Sequence, residues 1–68
     1  MVNKNKLLGK IAEAGKSQRL LAQEVGMSVN TLNSKINGKG SFDIEQVVKI
    51  CNVLNITESD EKAEIFLN

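Results

Sequence analysis

Proline, histidine, tryptophan and tyrosine are absent from this chain of 68 residues, and cysteine occurs once. A single cysteine excludes an internal disulfide framework, and without histidine the usual zinc ligand sets are missing too. No metal and no cofactor are expected. No acid pair or nucleophile stands beside a base, and no glycine-rich loop follows a strand pattern, so catalysis has almost no support. Only Phe42 and Phe66 are aromatic, which leaves the core to Leu, Ile, Val and Ala. There is no apolar run of about 18 residues and no signal-peptide core. The expectation is a soluble, cytoplasmic protein with no membrane partner.

What is present points one way. Short apolar runs recur at helical spacing, which predicts an all-α fold in one domain over residues 1–68. So short a chain buries only about 60% of its unfolded surface, and its stability is modest. The stretch the rest is organised around is 17–38, SQRLLAQEVGMSVNTLNSKING. It predicts a helix over 18–25, a tight turn at Gly26, Met27 and Ser28, and a second helix over 29–36. Ala22 is small where two helices cross. Gly26 suits a left-handed helix end, and Ser28 offers an N-cap hydroxyl to Asn30 or Thr31. Met27 and Leu32 have the spacing of a hydrophobic staple. This is the pattern of a helix-turn-helix, whose second helix enters the DNA major groove.

That second helix turns Leu32 and Ile36 inward and keeps Asn30, Thr31, Asn33, Ser34 and Lys35 polar, with Val29 first. Two Asn, a Thr and a Ser lower its helix propensity, a poor choice for a helix that only packs. Amide and hydroxyl groups of this length are what base edges require, and Val can meet a thymine methyl. The plainer reading makes them surface filler. At the preceding helix, free N-terminal amides with Gln18, Lys16 and Arg19 suit a phosphate; otherwise these are merely exposed first-turn residues. Leu20 lies beside the inward face, either widening the core or offering an apolar spot to a partner.

Charge is divided along the chain. Residues 1–40 carry seven cations against two acids, a balance of +5; residues 41–68 carry two against six, a balance of −4. A basic half suits a polyanion on one side of the molecule. Two solvated faces are the bland alternative.

Around this centre, a first helix is predicted over 4–14 with Leu7, Leu8, Ile11, Ala12 and Ala14 as its apolar stripe and Gly15 ending it. Lys4, Lys6 and Lys10 fall on its solvated side. Asn37 and Gly38 end the third helix, and Lys39, Gly40 and Ser41 form a loop that can approach phosphate. A fourth helix opens at Asp43, with Gln46 at capping-box spacing and Phe42 able to staple onto Val47. Its inward stripe is Ile44, Val47, Ile50, Cys51 and Leu54, with Val48 and Val53 at the edges; Cys51 reads as a buried structural thiol. Ile56 closes the core. Thr57 or Ser59 caps a last helix running to about Leu67, with Ala63, Phe66 and Leu67 on one side and Ile65 at its edge. Phe66 and Leu67 are either core or a dimer or partner contact.

The motif LAQEVGMS, the ending INGKG and the run FDIEQVVKICNVLNI resemble the Cro/repressor class of helix-turn-helix regulators, the XRE family. The resemblance covers roughly residues 4–56 and is strongest to short versions from phages of Gram-positive bacteria. It implies a compact five-helix bundle of the lambda-repressor-like type. By position it implies base contacts from Val29, Asn30, Asn33 and Ser34, and phosphate contacts from Gln18, Asn37 and Lys39, with Arg19 and Lys35 beside them. Many members place the second core residue of the recognition helix three positions after the first; here that residue is Ile36, four after Leu32. The helix can therefore be rotated, which leaves the base-reading choice between Ser34 and Lys35 open. The implied function is a sequence-specific repressor of Cro type that binds a double-stranded operator as a homodimer. No second domain is expected, which favours the Cro-like role over a full-length lysogenic repressor. The alternative is a protein-binding helix-turn-helix module, such as an antirepressor that pairs with a phage repressor.

Overall fold

The computed structural model describes residues 2–67, and among these the chain forms five helices and no strand. They are α1 (Lys4–Glu13), α2 (Gln18–Val25), α3 (Val29–Ile36), α4 (Ile44–Leu54) and α5 (Ser59–Phe66). Helix α2 packs on α3 and on α4, and α1 packs on α5.

Local chemistry sets the helix ends. Asn3, Ser17, Ser28 and Asp43 each accept a backbone N–H with the side chain at a helix N-terminus. Asp43 and Gln46 complete the reciprocal capping box expected of them. Four helices end alike: an N–H two or three residues past the end reaches back over the last turn, Lys16 to Ile11, Met27 to Ala22, Lys39 to Ser34 and Ile56 to Cys51. Three of these ends use glycine. The fourth uses Asn55 at φ 58°, a conformation asparagine tolerates better than most residues.

One apolar cluster joins all five helices. Leu7, Leu21, Leu32, Ile36, Ile50 and Ile65 are its fully buried members, and Cys51, Leu54 and Ile56 complete its α4 side. No polar or charged side chain is buried among the described residues, so the core needs no internal hydrogen bonds.

The apolar stripes were read too widely at three places. Ala12 and Ala14 are exposed, because Leu7, Leu8 and Ile11 already cover the α1 contact. Ile44 is 83% exposed: α4 meets the core through its second half, and its first turn runs past the core's edge. In α5 the buried residue is Ile65, with Ala63 and Leu67 exposed and Phe66 half-buried. In the last helix Ile65 is the residue that faces the core, and Glu61 and Glu64 then lie where they meet Lys10 and Lys6 of α1. Its N-cap is Glu58, with no side-chain cap bond, in place of Thr57 or Ser59.

Candidate nucleic-acid interface

The α2–α3 turn is built by three residues. Gly26 takes φ 74°, where a Cβ costs on the order of 1 kcal/mol. The Met27 N–H then closes the turn on the Ala22 carbonyl at 2.9 Å. Ser28 Oγ accepts the Thr31 N–H at 3.1 Å and donates to Thr31 Oγ1 at 2.9 Å. Ala22 and Val25 are buried on α2 and Leu32 and Ile36 on α3, so the four-residue spacing of Leu32 and Ile36 still forms one inward face.

With that face buried, the opposite face of α3 is fixed by geometry. Asn30, Thr31 and Asn33 are exposed; Val29 and Ser34 are half-buried at its margins. None of the four residues singled out for base contact is enclosed by the chain. Thr31 was not among them, yet it shares the exposed face and is oriented by Ser28. Its position three residues after a capping serine was the signal available in the sequence.

The groups singled out for phosphate differ more. Arg19 and Lys39 are exposed and have no carboxylate partner among the described residues. Gln18 is half-buried in the first turn of α2, where the helix amides lack internal acceptors. Lys16 instead pairs with Glu24 at 2.8 Å. The Asn37 amide donates to the Asn33 carbonyl at 2.9 Å, which ties it to the end of α3. Lys35 Nζ donates to Gln46 Oε1 at 2.9 Å and sits 5.9 Å from the centre of the Phe42 ring. Its ammonium therefore couples α3 to the capping box of α4, and Phe42 meets Phe66 edge-on at 5.8 Å.

Electrostatics sharpen this picture. The basic half spends Lys6 and Lys10 on the acids of α5. Glu61 accepting from Lys10 raises that ammonium's pKa above its ordinary value. Among the described residues up to 40, the cations left without a carboxylate partner are Lys4, Arg19, Lys35 and Lys39, and the last three lie in or beside α2 and α3. The charge asymmetry in the chain thus becomes a local one around the turn.

The helix-turn-helix family profile matches residues 8–60. The chain belongs to this family, in its Cro/XRE form. Its fold is the lambda-repressor-like helix-turn-helix fold. Membership in the helix-turn-helix family makes it a DNA-binding transcription regulator. No curated protein and no solved structure matches it. No helix among the described residues is long and apolar enough to cross a membrane.

Proposed function

We propose that the chain is a Cro-like repressor that reads a double-stranded operator through α3 and binds it as a homodimer. The observation that carries this reading is α3 itself: Leu32 and Ile36 are buried while Asn30, Thr31 and Asn33 face solvent. In the complex, Asn30 and Asn33 bond base edges, Val29 and Ser34 meet the flanking bases, and Gln18, Arg19, Asn37 and Lys39 hold phosphates. Lys35 joins the phosphate contacts after leaving Gln46. Repression follows from occupancy, since a bound regulator excludes polymerase from the same duplex. The two recognition helices lie about 34 Å apart, one DNA turn.

The test is selection of binding duplexes from a random pool, followed by footprinting on the selected sequence. A protected, near-palindromic site supports the reading. Log affinity should fall linearly with log salt, as phosphate contacts release counterions. Recovery of no preferred sequence would refute it.

The antirepressor reading draws on a different observation, the exposed Ile44, Val48 and Leu67. A gel shift seen only when a partner repressor is added would favour it.

A further inference from the structure

The four-residue spacing of Leu32 and Ile36 leaves two residues near the end of α3, Ser34 and Lys35, able to meet a base. Both are half-buried, so exposure does not choose between them. The contacts of Lys35 do. Its ammonium donates to Gln46 Oε1 at 2.9 Å and lies 5.9 Å from the centre of the Phe42 ring. Each of these partners is itself held. Gln46 Oε1 also accepts the Asp43 N–H at 3.1 Å, and the Gln46 N–H donates to Asp43 Oδ1 at 2.8 Å. Two donors therefore converge on one carbonyl oxygen, which fixes the orientation of the Gln46 amide. Phe42 is braced edge-on by Phe66, with ring centres 5.8 Å apart and planes at 88°.

We propose that Gln46 is a positioning residue for DNA reading: it holds the Lys35 ammonium at the α3–α4 junction, so that Lys35 goes to a phosphate and Ser34 keeps the base-reading place. The proposal rests on the DNA-reading function above and assigns a specificity role to a residue outside α2 and α3.

The energetics of exchange separate the two fates of Lys35. A phosphate oxygen brings a full opposite charge to the ammonium, so it displaces a neutral carbonyl readily. A guanine edge offers neutral oxygen and nitrogen acceptors, the kind of partner Lys35 already has in Gln46. Moving to it would also give up the face of Phe42. The tether thus opposes base reading by Lys35 far more than it opposes the backbone contact. A lysine without such a tether is a flexible cation with a strong taste for guanine.

The experiment reads base preference, salt dependence and the state of Lys35. Anisotropy titrations vary each base pair of the selected duplex in turn. Gln46→Leu removes the acceptor and should gain about tenfold preference for guanine at one base pair. Lys35→Ala/Gln46→Leu should lose that gain. Gln46→Glu keeps a capping-box residue but grips the ammonium with a full charge. It should weaken all sequences severalfold and about equally, with a salt dependence shallower by roughly one phosphate. In a Lys35→Ala background the same change should leave the salt dependence alone. Thermal melts check that each variant is folded; loss of the cap alone lowers Tm and creates no guanine preference. Without DNA, NMR should show the Lys35 side-chain methylene signals displaced by the Phe42 ring, and Gln46→Leu should return them to ordinary positions.

An unchanged base preference in Gln46→Leu overturns the proposal, as does a gain that survives Lys35→Ala. Undisplaced Lys35 signals in the wild type overturn it too. A wild type that selects no duplex removes the DNA reading, and this role falls with it. A wild type that selects one while Gln46→Leu keeps the same preference confines the failure to Gln46.

Discussion

At the scale of single residues, the proposed division of labour is between specificity and grip. Asn30 is exposed on α3 and suited to bidentate bonding of an adenine edge. Asn30→Ala should cost about 1–3 kcal/mol on the selected site and relax its sequence preference. Lys39 is an exposed cation past the helix end. Lys39→Ala should weaken all sequences about equally and flatten the salt dependence by roughly one phosphate. Fluorescence-anisotropy titrations over mismatched sites and several salt concentrations measure both. Identical behaviour of the two variants would remove the distinction. Gly26 is a separate case, since nothing lies within 4 Å of a Cβ built there and only its φ of 74° resists substitution. Gly26→Ala should therefore cost about 1–2 kcal/mol, a fall in Tm of very roughly 4–16 °C, without repacking the core.

Among elements, the instructive case is α5. Acids at 58, 60, 61 and 64 suggest a solvated helix with Ala63, Phe66 and Leu67 inward. Ile65 is instead the residue buried in the core, and Glu64 and Glu61 meet the ammonium groups of Lys6 and Lys10 on α1. Ile65→Ala should cost about 2–5 kcal/mol, as large-to-small changes at fully buried sites do. Leu67→Ala, at 81% exposure, should change stability by less than about 0.5 kcal/mol. Chemical denaturation of the two variants decides between the rotations; a larger loss for Leu67 would restore the other one. The α3–α4 junction holds a second lesson. Lys35 belongs to α3 by position, yet its ammonium meets Gln46 and the face of Phe42.

For the whole molecule, protons report the fold. Burial pushes the Cys51 thiol above its ordinary pKa, and the bond to Glu61 raises Lys10. Both groups then hold protons in the folded state at a pH where the unfolded chain has begun to lose them. Their contribution to stability is full below the unfolded values, about 8.5 for cysteine and 10.4 for lysine. It declines as pH rises through the higher folded values. Melting temperature should thus show no loss from these two groups up to about pH 8.5 and fall above it. Cys51→Ala should remove the earlier part of that fall, and a scan of Tm against pH in both proteins checks it. Stability that climbs from about pH 8.5 to about 10 would contradict the assignment of Cys51, whose window this is.

Much was legible before any tertiary contact was known. The spans of α2 and α3, the glycine ends at Gly15, Gly26 and Gly38, the caps at Ser17 and Ser28 and the capping box at Asp43 all follow from short-range chemistry. Each joins groups only a few residues apart, so neighbouring letters suffice to specify it. The exposed face of α3 was legible for the same reason, since burying Leu32 and Ile36 leaves Asn30 and Asn33 outside. Tertiary structure alone decided which face α5 buries, that the first turn of α4 overhangs the core, and where the ammonium of Lys35 goes. Those outcomes depend on partners eleven to fifty-eight residues away in the chain, where periodicity within one helix carries no information.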